Sequence, residues 1–252
     1  MSRASLIRFG AIAAVLVVWE AVRRFNLVGP LLLASPSDIV AAVVQSGPQF
    51  FRAFELTALE ILAALALALV FGIGVGVAAG VSRFLGAVSG PILSSLFAVP
   101  LITWYPLFMV WFGIGSPSKI AYAVVSGVFP IALNTMNGIR HLDRRYLVYG
   151  RSIGCSRLQL VFRILFPLAL PSIIAGLRIG LALIIIGVVV AEMLASVGGI
   201  GFLITSYRNI FEIGHVYLGI LLSLLFALLA NLALSAIERR FTLWRDLQAS
   251  VT

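Results

Sequence analysis

The sequence predicts an all-α fold, a polytopic membrane helix bundle with six transmembrane helices and both termini on the cytoplasmic side. Three observations carry this expectation. The first is composition: of 252 residues, 62% are hydrophobic and 11% charged, with a mean hydropathy of +1.13. Soluble domains carry about 25% charged residues. With 18 basic and 9 acidic side chains, a water-soluble globule would leave apolar surface that associates. The second is a set of long charge-free runs, because a helix needs about 20 apolar residues to cross the hydrocarbon core. The third is the segregation of arginines, which orients the spans. Composition therefore speaks against a soluble enzyme, a disordered chain and a nucleic-acid-binding domain. The net charge of +9 reads as positive-inside bias and contact with membrane lipid, not as affinity for nucleic acid.

The first expected span covers 6–22, with a clean centre at 9–19 between Arg8 and Glu20. A signal peptide is the rival reading. No small-x-small cleavage site follows the apolar stretch, whereas Glu20, Arg23 and Arg24 do, so a retained span is expected. Residues 23–57 form a long outer segment. In it, Ser35-Pro36-Ser37-Asp38 before an apolar run reads as the start of an interfacial helix capped by Ser35 or Ser37. The second span covers 61–82, where Gly72, Gly76 and Gly80 recur at steps of four. That spacing puts them on one helix face, where another backbone can approach closely.

The uncharged run 84–118 holds Pro91, Pro100 and Pro106 and is too long for one straight span. A kinked or broken helix is expected, since broken backbone is tolerated at membrane depth where it lines a cavity or is buried in protein. Thr103, Trp104 and Tyr105, between two of the prolines, are candidate path or gate residues. The fourth span covers 120–139 and holds Asn134, which reads as interhelical glue or as a path residue. The fifth covers 179–207, broken only by Glu192, and the sixth covers 213–237.

With six spans, twelve basic residues fall on one side: Arg3 and Arg8, Arg83, the arginines of 139–166, and those of the C-terminal tail. Five fall on the other, namely Arg23, Arg24, Arg52, Lys119 and Arg208. The richer side is cytoplasmic. Glu192 is expected as the one acid well inside a span. It is read either as a functional group in the path or as a structural hydrogen bond to a neighbouring helix. Arg178, near the cytoplasmic end, is the candidate for buried positive charge or for a lipid-headgroup anchor; it lies fourteen residues from Glu192, about 21 Å along a helix and too far to pair.

No catalytic site is expected. Lys119 is the only lysine and Ser118 precedes it, so there is no phosphate-binding G-x-x-x-x-G-K-[ST] loop. The glycines at 198, 199 and 201 read as a turn. The single Cys155 excludes an intramolecular disulfide, and His141 and His215 fall on opposite sides, so no metal site is expected. Transport is the leading class.

The segment 146–174 is the most informative. Helical periodicity on both sides of Gly154-Cys155-Ser156 predicts two short cytoplasmic helices joined by a glycine turn, with Ser156 capping the second. Leu158, Leu160, Val161 and Ile164 suit a partner's groove, and Pro167 and Pro171 start the next span. This segment resembles the cytoplasmic loop of ABC-importer permeases, whose pattern is E-A-A-x-x-x-G-x9-I-x-L-P. Gly154, Ile164 and Pro167 match it, and Arg151-Ser152 and Ser156-Arg157 also look like that family. Val148, Tyr149 and Gly150 stand at the Glu-Ala-Ala positions and Phe166 at the leucine, which puts any salt contact by that glutamate in doubt. Stretches 34–37, 111–115, 129–135, 190–194 and 199–204 extend the resemblance, which is strongest to the nitrate, sulfonate and taurine permeases.

The resemblance implies a single permease domain over 1–252, with a core at about 57–238 and a coupling loop at about 140–167. It implies a bacterial inner-membrane protein that works as a homodimer or paired permease. Its partners would be cytoplasmic ABC ATPase subunits, which carry ATP and Mg, and a periplasmic or lipoprotein solute-binding protein. The solute would be a small anion such as sulfonate, taurine or nitrate. This chain would bind no cofactor and would not itself be an enzyme. The alternatives are a permease for a thiamine-precursor-like solute and a self-contained secondary carrier, which would need coupling-ion ligands near the midplane.

Overall fold

A computed structural model describes residues 3–29 and 31–249, whose regular structure is helical with no strand among them. The domain limits expected at 1 and 252 lie outside the described residues. The elements run α1 (Arg3–Arg24), α2 (Pro36–Val81), α3 (Arg83–Ala98), a 3-10 turn (Leu101–Trp104), α4 (Tyr105–Phe112), α5 (Ser116–Arg140), α6 (Arg144–Ser152), α7 (Arg157–Leu160), a π turn (Val161–Leu165), α8 (Phe166–Leu194), α9 (Ile200–Asn209) and α10 (Ile213–Ala249). Among the described residues, four helices are long and apolar enough to cross a membrane: 36–81, 116–140, 157–194 and 213–236. The pair Arg83–Ala98 and Leu101–Phe112, bent by 88°, makes a fifth if it is one broken span.

That break is the one expected in the third apolar run. Pro100 lacks an N–H and disfavours helical backbone at the residue before it, and Val99 is extended at φ −71, ψ 135. Two other expectations are corrected. The interfacial helix and the second span are a single helix of 46 residues, Pro36–Val81. Its interior charges, Arg52, Glu55 and Glu60, read as a boundary in the sequence, but the helix runs through them. The fifth run does not continue to residue 207; the helix stops at Leu194, and 200–209 is a separate helix. Gly199, at φ 102, turns the chain between them.

The chain forms two compact units. The first comprises 1–57 and 192–226. Its core holds Ala34, Ile39, Phe50, Ile200, Ile204 and Leu218. Ser35 caps α2 as expected: its Oγ accepts from Asp38 N (3.1 Å) while its own N donates to the Asp38 carboxylate (2.9 Å). Trp19 Nε1 donates to Ala34 O (2.8 Å) and Ser37 Oγ donates to Glu20 (2.9 Å), which ties α1 to the start of α2.

The second unit comprises 58–191 and 227–252. Here α5 packs at near-backbone distance between α2 and α8. Gly72, Gly76 and Gly80 sit against Ile131, Thr135 and Ile139, a ladder with four-residue steps on both helices. A Cβ at Gly76 would lie 2.5 Å from that of Thr135. On the other side, Gly127 meets Ile184, Gly138 meets Ser172 and Gly176 meets Asn134. Lipid removes the hydrophobic drive between spans, so close approach through small residues is what holds such helices together.

Candidate functional site

The loop after α5 is built by local capping. Asp143 accepts from Arg145 N (2.9 Å) and starts α6. The C-terminus of α6 closes with two backbone bonds, Cys155 N to Gly150 O and Gly154 N to Arg151 O, each 3.0 Å. This is a Schellman turn, which puts the C′ residue in the left-handed region, and Gly154 is there at φ +78. Ser156 and Gln159 then form a reciprocal capping box, with bonds of 3.3 and 2.9 Å. The second helix is not a separate short helix. It continues through the π turn into α8, so that Arg157–Leu194 is one helix of 38 residues. Pro167 supplies the reason: it lacks an N–H and crowds the carbonyl four residues back, and the wider turn just before it accommodates both effects.

The side chains of this loop divide into two faces. Tyr149, Leu158 and Phe162 point outward, 65%, 72% and 64% exposed. Leu160 and Ile164 fold back onto Gly150 instead of facing a partner; a Cβ there would lie 2.5 Å from Leu160 Cδ1 and 2.8 Å from Ile164 Cδ1. That contact explains glycine at a position where the family pattern has alanine. The Ser152 hydroxyl donates to Val148 O (3.0 Å) within α6, and Pro167 is the second residue of α8. Arg151 and Arg157 line a cavity beside the loop.

Glu192, in the last turn of α8, sits in a buried clamp inside the first unit. It is 1% exposed, and its carboxylate accepts from Thr57 Oγ1 (2.8 Å) and Gly201 N (2.8 Å). Ile200 N donates to Thr57 Oγ1 (2.9 Å). The N-terminal N–H groups of α9 thus receive a carboxylate and a hydroxyl, the arrangement the helix dipole favours. Gly199 has no room for a side chain because the Glu192 carboxylate occupies the space.

A second buried ionic group is in the other unit. Lys119 Nζ lies 2.6 Å from Glu60 Oε1, with both side chains about 2% exposed. Glu192 is therefore not the one acid well inside a span, and Arg178 is not the candidate for buried positive charge. Arg178 is half exposed and pairs with Glu238 at 2.5 Å. Charge-free runs located the spans, and such a criterion excludes any residue like Glu60 that ends one.

Beside the break at Pro100 lies a cavity of about 510 Å³. Leu101 and Ile102 line it rather than Thr103, Trp104 or Tyr105, and Tyr122 and Ser126 are the lining residues with polar side chains. Thr103 Oγ1 donates to Pro100 O (2.7 Å); Tyr105 is fully buried with its ring 5.4 Å from that of Tyr122. Asn134 Nδ2 donates to Pro130 O (2.9 Å) at the α5–α8 contact.

Residues 68–243 match the family described as the binding-protein-dependent transport system inner membrane component. The chain belongs to that family. The taurine transport system permease protein TauC of Escherichia coli (strain K12) is 33% identical over 97% of this chain and 91% of its own length. The formylaminopyrimidine transport permease protein ThiX of Halalkalibacterium halodurans is 32% identical over 92% of this chain and 93% of its own. Permeases named for aliphatic sulfonates and for nitrate also match over most of the chain. A chain of the inward-facing MetNI methionine ABC transporter superposes with a TM-score of 0.67 at 22% identity, covering 77% of this chain and 96% of that one; it shares the fold.

Thr57, Glu60, Tyr122 and Ser126 were not singled out by sequence reasoning. Thr57 and Glu60 fall just before the second charge-free run, and a polar residue at a run's edge is the signal that would have marked them. Tyr122 and Ser126 share a helix face, at a spacing of four, but an aromatic and a serine on an apolar helix are common in plain packing.

Proposed function

We propose that this chain is the membrane-spanning permease subunit of an ATP-driven importer of the bacterial inner membrane. A separate solute-binding protein delivers a small anion of the sulfonate, taurine or nitrate class. Two cytoplasmic ATPase subunits, which hold ATP and Mg, power import, and the permease acts as a dimer or pair. The chain crosses the membrane six times with both termini in the cytoplasm, and α1 is the first of the six spans. The observation that carries this reading is the capped loop. Its outward apolar face, at Leu158 and Phe162, sits at the head of one continuous helix that runs to Leu194. An ATPase gripping that face pulls directly on the span, whose points of compliance are the π turn and the interior Pro171.

The solute path follows the broken helix at Pro100, past Tyr122 and Ser126. The described lining of that cavity carries no charge, which suits an anion that is recognised by the binding protein and only weakly held by the permease. A second reading, transport of a formylaminopyrimidine-like solute, is favoured by the relative of that name at 32% identity. A self-contained carrier has less support, because the Glu192 carboxylate is committed to Thr57 and Gly201.

The test is uptake of radiolabelled taurine, nitrate and formylaminopyrimidine in cells carrying the permease, its ATPase and its binding protein, together with purification of the permease. An ATPase that co-purifies and ATP-dependent uptake of an anion support the proposal. Uptake of formylaminopyrimidine alone supports the second reading. Uptake without any ATPase rejects both.

A further inference from the structure

At the base of the loop, the end of α2, the C-terminus of α5, α6 and α7 surround a cavity of about 1050 Å³. Arg83, Arg140, Arg151 and Arg157 line it, and among the described residues no carboxylate does. Among the described residues, none of these four guanidinium groups makes a side-chain hydrogen bond or an ion pair. Two described acids of the second unit are already paired: Asp143 with Arg145 at 2.9 Å and Glu238 with Arg178. All four are exposed, so water screens them from one another, but four positive charges around one cavity with no carboxylate among its described lining favour an anion there.

Apart from Ser82, the rest of the lining is apolar and includes Ile139, Leu142, Leu147, Leu160 and Leu165. The depth is also informative. Val81 and Ile139 each end a long uncharged helical run, so the cavity lies where hydrocarbon gives way to headgroups. Inorganic phosphate would fill only a small part of this volume and would leave the apolar wall uncovered. We propose that the cavity binds the headgroup phosphate of an anionic phospholipid. The arginines hold the phosphate, as forked donors that match its oxygens, and the apolar wall takes the glycerol and the upper acyl chain. A lipid seated there would brace α6 against the turn between α2 and α3. The leaflet, cytoplasmic, rests on the topology proposed above; the binding itself does not.

The test measures lipid retained by the purified full-length chain, by native mass spectrometry after titration with phosphatidylglycerol or phosphatidylcholine. The wild type retains phosphatidylglycerol preferentially. The double variant Arg83→Gln/Arg151→Gln retains it about thirtyfold less, or ~2 kcal/mol at ~1.4 kcal/mol per tenfold change. Arg208→Gln, on α9, leaves retention unchanged. Should the double variant not fold, Arg157→Gln alone is expected to weaken retention about fivefold. Equal retention of the two lipids, or no effect of the variants, overturns the proposal. So does displacement of the lipid by equimolar inorganic phosphate, which marks a small-anion site. Loss of the lipid when the ATPase assembles also overturns it, because an acidic segment of that partner then owns the cavity. Failed uptake with lipid retention intact rejects the proposed transport function and leaves this site standing.

Discussion

Replacing Thr57 with valine tests whether the Glu192 clamp holds α9 in place. Valine keeps the branched shape and removes the hydroxyl. Two hydrogen bonds go with it: the donation, which Glu192 Oε1 at 2.8 Å shares with Ala53 O at 3.0 Å, and the acceptance from Ile200 N at 2.9 Å. Figures from soluble proteins put a bond to a charged group at about 1.5–3 kcal/mol and an orphaned buried N–H at about 1–3 kcal/mol. Side-chain hydrogen bonds in membrane proteins average only about 0.6 kcal/mol each, because the unfolded chain in lipid also finds partners. Two bonds at that average set a floor near 1 kcal/mol. The charge on the carboxylate and its place at a helix N-terminus raise the expectation to about 2–3 kcal/mol. Thr57→Ser retains both bonds and should cost under about 1 kcal/mol, chiefly for the lost methyl group. The assay is SDS-driven unfolding in mixed micelles, followed by circular dichroism, with Glu192→Gln and the double variant completing a cycle. A Thr57→Val protein within about 0.5 kcal/mol of wild type, or additive effects of the two substitutions, would refute the clamp.

Two further outcomes follow from the geometry. Lys119→Ala leaves the Glu60 carboxylate buried without its cation and should cost about 3–5 kcal/mol; the pair Glu60→Gln/Lys119→Met removes both charges and should unfold much closer to wild type in the same assay. Gly154→Val forces a branched residue to φ +78, at about 1–2 kcal/mol, and should open the Schellman turn. In a reconstituted complex, ATP hydrolysis should then persist while uptake falls, and wild-type uptake would contradict the role assigned to the turn.

The loop was legible in the sequence because its determinants are local. Gly154, Ser156 and Gln159 lie within six residues, and each bond they make is a capping bond that spacing alone specifies. The break at Pro100 was legible for the same reason, since proline acts on its own backbone and on the residue before it. The glycine ladder was half legible. Steps of four predict a face of close approach, but the partners Ile131, Thr135 and Ile139 lie some sixty residues away. Span boundaries read from charge-free runs failed where a charge is neutralised inside the protein, as at Glu60, or where a helix outlasts its apolar stretch, as α2 does.

The sequence by itself determined an apolar helical chain, its membrane-spanning character, the capped loop and the family resemblance. These rest on composition, period and bonds between near neighbours. Only the tertiary structure decided that Lys119 is buried against Glu60, that Thr57 and the start of α9 hold Glu192, and that four arginines from four segments converge on one cavity. Each joins residues far apart in the chain. A side chain's charge is visible in a sequence, but the group that neutralises it is found only once the helices have packed.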